Sequence, residues 1–186
     1  MHIYLHGFAS SGSAEKGKIL MDFFAGREKV ISPDFPDEPF GAIRAIEKLL
    51  TEYAGQVTLW GSSLGGFYAL YFASVKGIKS VLINPALKPW IGLLDFVGTV
   101  RRNKTEDKFE WKKEYISQLE IIGNDIKVEK IVPEKLTLML AKDDVLLNYQ
   151  DTLNFLKGYY GKLILEENSG HELRTFEEIL KREYPR

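Results

Sequence analysis

The sequence predicts an α/β protein with a mostly parallel sheet and helices on both of its faces. Three observations predict it. Short apolar, β-prone runs recur along the chain, segments with apolar residues at 3.6-residue spacing separate them, and most of the runs lack strict polar alternation, as suits strands buried on both faces. The length of 186 residues and the apolar content of 45% fit one domain with one substantial core.

Residues 3–5 form the first expected strand. Ile19, Leu20, Phe23 and Phe24 then fall on one helical face. Pro36 and Pro39, in the polar setting of Asp34 and Asp37, predict a loop. Ile43, Ile46, Leu49, Leu50 and Tyr53 define a second crossover helix, followed by a strand over 57–60 and a helix carrying Phe67, Tyr68, Tyr71, Phe72 and Val75. Further strands are expected at 80–83, 136–141 and 162–165. The last helix has a start signal, since Thr175 followed by Glu178 reads as a capping box ahead of Ile179 and Leu180.

The stretch 88–132 interrupts this rhythm and contains no clear sheet strand. It opens with Trp90, Ile91, Leu93, Leu94, Phe96 and Val97, then becomes charged, with six basic and four acidic residues over 101–114. Trp111, Tyr115, Leu119 and Ile122 have helical spacing, so a helix from about Thr105 to Ile121 is expected, with Glu106 and Asp107 in its first turn. Long insertions in compact domains are often functional, and the stretch is read as a lid over a site in preference to padding.

Composition excludes several classes. Lysine and arginine number 25 against 26 acidic residues, so a formal net charge of -1 provides no overall field for a nucleic-acid or anionic lipid partner. Without cysteine there is no disulfide, thiolate metal site or thiol nucleophile, and three histidines leave little for an imidazole cluster. Met1-His2-Ile3-Tyr4-Leu5 has no basic leader, which makes the cytoplasm the expected location. The longest apolar stretch, 91–100, is broken by Asp95 and too short to cross about 30 Å of hydrocarbon, so no membrane span is expected.

The sharpest motif is Gly61-Ser62-Ser63-Leu64-Gly65-Gly66, between an expected strand and an expected helix. Ser63 is the centre of G-x-S-x-G, in which a serine occupies a strained strand-to-helix turn and its flanking positions crowd together unless they lack side chains. A phosphate-cradling loop is disfavoured because neither G-x-x-x-x-G-K-[ST] nor G-x-G-x-x-G is present. A serine nucleophile needs a base, usually a histidine oriented by a carboxylate. His2 and His6 precede the elbow, whereas His171 follows the last strand, at the sheet edge that also carries Ser63, and is the expected base. Asp143 and Asp144 both follow the strand over 136–141; Asp143 is preferred, although position alone barely separates them. Backbone N–H groups of Leu64 and Phe8 are the expected oxyanion donors, with Gly7 allowing the turn and His6 serving as scaffold. Phe8, Phe35, Trp90 and Phe96 are candidate pocket walls for substrate binding.

Tyr4-Leu5-His6-Gly7-Phe8 with Ser10-Ser11, the elbow 61–67, Asn84-Pro85-Ala86, Asp143 with Val145-Leu146, and His171 together resemble the α/β-hydrolase superfamily, and within it the small bacterial YqiA-type esterases. The resemblance runs nearly the full chain and aligns loosely after Pro89. It implies a compact α/β-hydrolase in one domain over 1–186, with Ser63 as nucleophile, Asp143 as acid and His171 as base. It favours Asp143 over Asp144 because the family's acid stands two residues before the Val-Leu pair. Lys142 departs from the small residue that many relatives carry there. The implied reaction is hydrolysis of a small-molecule carboxylic ester, or an acyl thioester, through an acyl-enzyme and without metal or organic cofactor. Rival readings are a non-catalytic binding protein on the same scaffold, an acyltransferase using the same acyl-enzyme, and, less expected in so small a chain, a peptidase.

Overall fold

The computed structural model describes every residue except Ala54 and Arg186. Strands β1 (His2–Leu5), β2 (Val30–Ile31), β3 (Thr58–Ser62), β4 (Lys79–Ile83), β7 (Leu136–Ala141) and β8 (Lys162–Glu166) form one sheet in the order β2-β1-β3-β4-β7-β8, every neighbouring pair parallel. The connections include helices α1 (Glu15–Phe24), α2 (Pro39–Glu52), α3 (Leu64–Lys76), α5 (Lys113–Asp125) and α6 (Tyr149–Phe155), and α7 (Phe176–Glu183) ends the chain.

Alternation along each central strand feeds two cores. Ile3, Leu5, Leu59 and Leu82 pack on one face with α2, α3 and α5, while Tyr4, Trp60, Val81 and Ile83 pack on the other with Phe23 and Phe24 of α1 and Phe176, Ile179 and Leu180 of α7. The strands are therefore apolar at consecutive positions, because both of their faces are dry. Helix α3 is itself buried from Leu64 through Leu70, where it packs on β1, β3 and β4. Chain order reverses between β1 and β3, so the loops after these strands open a crevice at the carboxyl edge of the sheet, where open α/β sheets place ligands.

Three expectations need correction. Strand β2 was not foreseen; its two half-buried residues pair only with β1 at the sheet edge and carry no periodic signal. Within 88–132, a short helix α4 (Pro89–Gly92) is followed by an antiparallel hairpin of β5 (Gly98–Arg101) and β6 (Lys108–Trp111), so the helix expected from Thr105 begins only at Lys113. The cause is a chance match of period: Trp111 ends a strand, yet its ring lies 5.3 Å from that of Tyr115, imitating a helical i,i+4 contact. Finally, α7 starts after Thr175 as expected, but no capping box closes, because the Thr175 hydroxyl pairs with Ser169 Oγ at 2.9 Å.

Candidate active site

The elbow shows why glycine flanks the serine. Ser63 has φ 54° and ψ -117°, a region that costs a residue with a side chain about 1–3 kcal/mol. Surrounding bonds hold it there: its N–H donates to the Ile83 carbonyl at 3.0 Å, and its own carbonyl accepts from Phe67 and Ala86 at 3.2 and 3.0 Å. A Cβ at Gly61 would collide with the Gly65 carbonyl, and one at Gly65 with the Leu5 carbonyl, so both close approaches require glycine.

The loop after β1 passes beside this turn. A Cβ on Gly7 would lie 3.4 Å from Ser63 Cβ and 3.9 Å from its Oγ. Residues 7–10 form a turn closed by Ser10 N–H on the Gly7 carbonyl at 3.3 Å, with Ala9 at φ 55° in the third position, where a type II turn normally takes glycine. Among the described residues, neither the Phe8 N–H nor the Leu64 N–H donates to a protein acceptor.

Of the three imidazoles, two are engaged elsewhere. His2 accepts from the Trp60 indole at 2.9 Å and stacks on Phe24, while His6 donates from Nδ1 to the Gly7 carbonyl at 3.0 Å and stacks on Phe35 at 4.1 Å. Burial holds both below the ordinary histidine value, so each favours the neutral form. His171 lies in the same open cleft as Ser63, a space of about 2070 Å³. Its Nδ1 is 2.8 Å from Asp144 Oδ2.

This last contact corrects the expected carboxylate. Asp144, not Asp143, meets the imidazole, because the chain folds into a turn after β7, with Asp144 N–H on the Ala141 carbonyl at 3.4 Å, and this turn carries residue 144 inward. The Asp144 side chain has no solvent exposure. Its Oδ1 accepts from the N–H groups of Leu146 and Leu147 at 2.8 and 3.0 Å, which fixes Oδ2 toward the ring. Asp143 turns outward and staples the histidine loop instead, its Oδ1 accepting from Ser169 and Gly170 N–H, both at 2.9 Å. These two bonds hold its carboxyl below the usual aspartate range. Lys142 points away from both, to Glu167 at 2.7 Å.

A pH prediction arises from Asp143. A depressed native pKa adds stability that is complete above the unfolded aspartate value of about 3.9 and is lost as pH falls through the native value. Asp143→Asn keeps an acceptor oxygen but not its charge. Urea midpoints are expected to show wild type above D143N at pH 7, with the gap closing as pH falls below the unfolded aspartate value and through the native one; a gap that is constant with pH would contradict the assignment.

Asn84 is a site residue that the sequence flagged only as part of a motif. Buried at the end of β4 with φ 39°, it accepts from Ala141 N–H at 2.8 Å and donates to the carbonyls of Gly170 and His171 at 3.1 and 2.9 Å. One amide thus ties β4, β7 and the histidine loop together.

The expected pocket walls divide. Phe8 and Phe96 line the cleft with their rings 5.4 Å apart. Phe35 instead lines a small space beside His6, and Trp90 turns inward to pack against Gly123 and Phe67. Exposed Ile91 and Leu146 add apolar surface to the cleft. Among the described residues no group of three or more histidines and carboxylates is gathered as a metal site, and no helix is long and apolar enough to cross a membrane.

Residues 1–183 match UPF0227, described as an uncharacterised protein family. The chain belongs to the UPF0227 family. Curated UPF0227 relatives include YcfP of Escherichia coli, 24% identical over 187 residues, and YE1706 of Yersinia enterocolitica, 23% identical over 193 residues; each alignment covers 98% of this chain and 96% of the relative. Among solved structures, the UPF0227 chain is similar to the monoacylglycerol lipase of Paleococcus ferrophilus, with a TM-score of 0.73 and 15% identity, covering 97% of this chain and 92% of that one. It is also similar to an esterase of Pyrococcus furiosus, with a TM-score of 0.60 and 19% identity, covering 97% and 80%. At these identities the likeness establishes the α/β-hydrolase fold.

Proposed function

We propose that this UPF0227 chain is a serine hydrolase that cleaves carboxylic esters, and acyl thioesters, through an acyl-enzyme on Ser63. One observation carries the reading: a serine on a strained, glycine-flanked elbow shares a cleft with an imidazole whose Nδ1 is held by a buried carboxylate. Because Asp144 takes the Nδ1–H, the lone pair of His171 resides on Nε2, as a general base requires.

In the proposed reaction, Ser63 Oγ attacks the acyl carbonyl while His171 Nε2 takes the serine proton. The carbonyl oxygen becomes an oxyanion bound by the N–H groups of Phe8 and Leu64, donors set in place before charge develops. The carbon–oxygen or carbon–sulfur bond breaks, and His171 returns the proton to the leaving group. Water, activated by the same imidazole, then releases the acid and restores Ser63. The names of the similar lipase and esterase agree with this reaction class. The apolar surface of Ile91, Phe96 and Leu146 suits the acyl portion of such a substrate.

The test is turnover of a p-nitrophenyl ester by the purified chain, followed by p-nitrophenol absorbance and by titration of released acid. Equal, multiple-turnover yields of both products are expected. Saturable binding without turnover would favour a non-catalytic scaffold, and loss of acid in favour of a transferred acyl group would favour an acyltransferase.

A further inference from the structure

The loop that bears the Phe8 N–H is not held by the sheet alone; the hairpin tip clasps it. Asn103 N–H donates to the Ala9 carbonyl at 2.7 Å, its Nδ2 donates to the Phe8 carbonyl at 3.3 Å, and Arg102 Nη1 lies 3.4 Å from the Ser10 carbonyl. Three successive carbonyls of the turn are thereby bonded to two residues more than ninety positions away in sequence. Arg102 is itself anchored, its two terminal nitrogens meeting both oxygens of Asp37 at 3.1 and 2.6 Å, with the guanidinium 4.6 Å from the Phe109 ring. Phe8 is packed from the same side, edge-on to Phe109 and Trp111.

We infer that Arg102 is a positioning residue for the oxyanion-binding loop, fixing the Phe8 N–H through the paired contacts of the hairpin tip on residues 8–10 and of Asp37 on Arg102. The inference rests on the hydrolase reading of Ser63. Its physical basis is that a turn with a non-glycine residue at positive φ persists only where its surroundings over-determine it, and that donors must be in place before the oxyanion forms. A planar fork matched to a carboxylate supplies such fixity, and a lysine cannot reproduce it. An interaction that orients a donor felt only in the transition state alters kcat and leaves ground-state binding nearly unchanged.

The experiment compares wild type, Arg102→Lys and Asp37→Asn on a p-nitrophenyl ester and on a trifluoromethyl ketone, whose tetrahedral adduct with serine places an oxyanion at the same donors. Both variants are expected to lose about tenfold or more in kcat with KM within about twofold, and the ketone Ki is expected to rise by the factor by which kcat/KM falls. Folded variants with kcat within about twofold of wild type, or with lower kcat and an unchanged ketone Ki, would overturn the inference. Amide exchange over residues 7–11 provides a readout independent of turnover: it is expected to quicken in Arg102→Lys, and unchanged exchange would also overturn it. A wild type that turns over no ester would sink the hydrolase reading instead, and the exchange result would then judge the clasp alone.

Discussion

Asp144→Asn is expected to lower kcat on a p-nitrophenyl ester by about 10⁴-fold, the size of the corresponding aspartate-to-asparagine change in the serine-protease template. The local hydrogen bonds dictate why. Oδ1 accepts from two backbone N–H groups, Leu146 and Leu147, so the oxygen of an introduced asparagine must occupy that position. The amide nitrogen then faces His171 Nδ1 and donates to it. The imidazole is forced to carry its proton on Nε2, the wrong tautomer for accepting one from Ser63. Asp143→Asn behaves differently, because its amide oxygen still accepts from Ser169 and Gly170. It is expected to stay within about tenfold of wild type, a barrier change of at most about 1.4 kcal/mol. Steady-state kinetics of the two variants side by side check the assignment, and a larger loss in the Asp143 variant would reverse it.

Ser63→Ala is expected to cost still more, on the order of 10⁶ in kcat, as when a serine protease loses its nucleophile. The variant keeps the cleft, the buried Asp144–His171 pair and the free N–H groups of Phe8 and Leu64, so KM for any residual turnover is expected to change little. Alanine at φ 54° bears the same backbone strain as serine, and a normal melting transition is therefore expected alongside the kinetic loss. A variant that retains even a hundredth of wild-type kcat would place the nucleophile elsewhere.

The parts of the site that were legible in sequence are those that local sterics encode. Gly61 and Gly65 mark the elbow because a side chain at either would strike a backbone carbonyl, a constraint that leaves a fixed five-residue spacing. The central strands were legible because dry faces on both sides demand consecutive apolar residues. Asp144 was not, since two adjacent aspartates have the same composition and hydropathy and are separated only by the turn that follows Ala141. The resemblance favoured Asp143, whereas the contact with His171 is made by Asp144. The hairpin was hidden by a tryptophan whose contact with Tyr115 mimics helical spacing, and the Arg102–Asp37 pair joins segments that no local pattern connects. Phe35 and Trp90 lie outside the cleft that Ser63 and His171 share: Phe35 stacks on His6 and lines a small space with Phe8 and Leu64, and Trp90 packs against Gly123, placements that no local pattern encodes.

The most direct measurement treats the wild-type chain with a fluorophosphonate, determines the intact mass and maps the modified peptide. The expected result is one covalent adduct per chain, located on Ser63, absent from Ser63→Ala and formed far more slowly in Asp144→Asn. An adduct on another residue, or equal labelling of the Ser63→Ala variant, would contradict the assignment of Ser63 as the nucleophile.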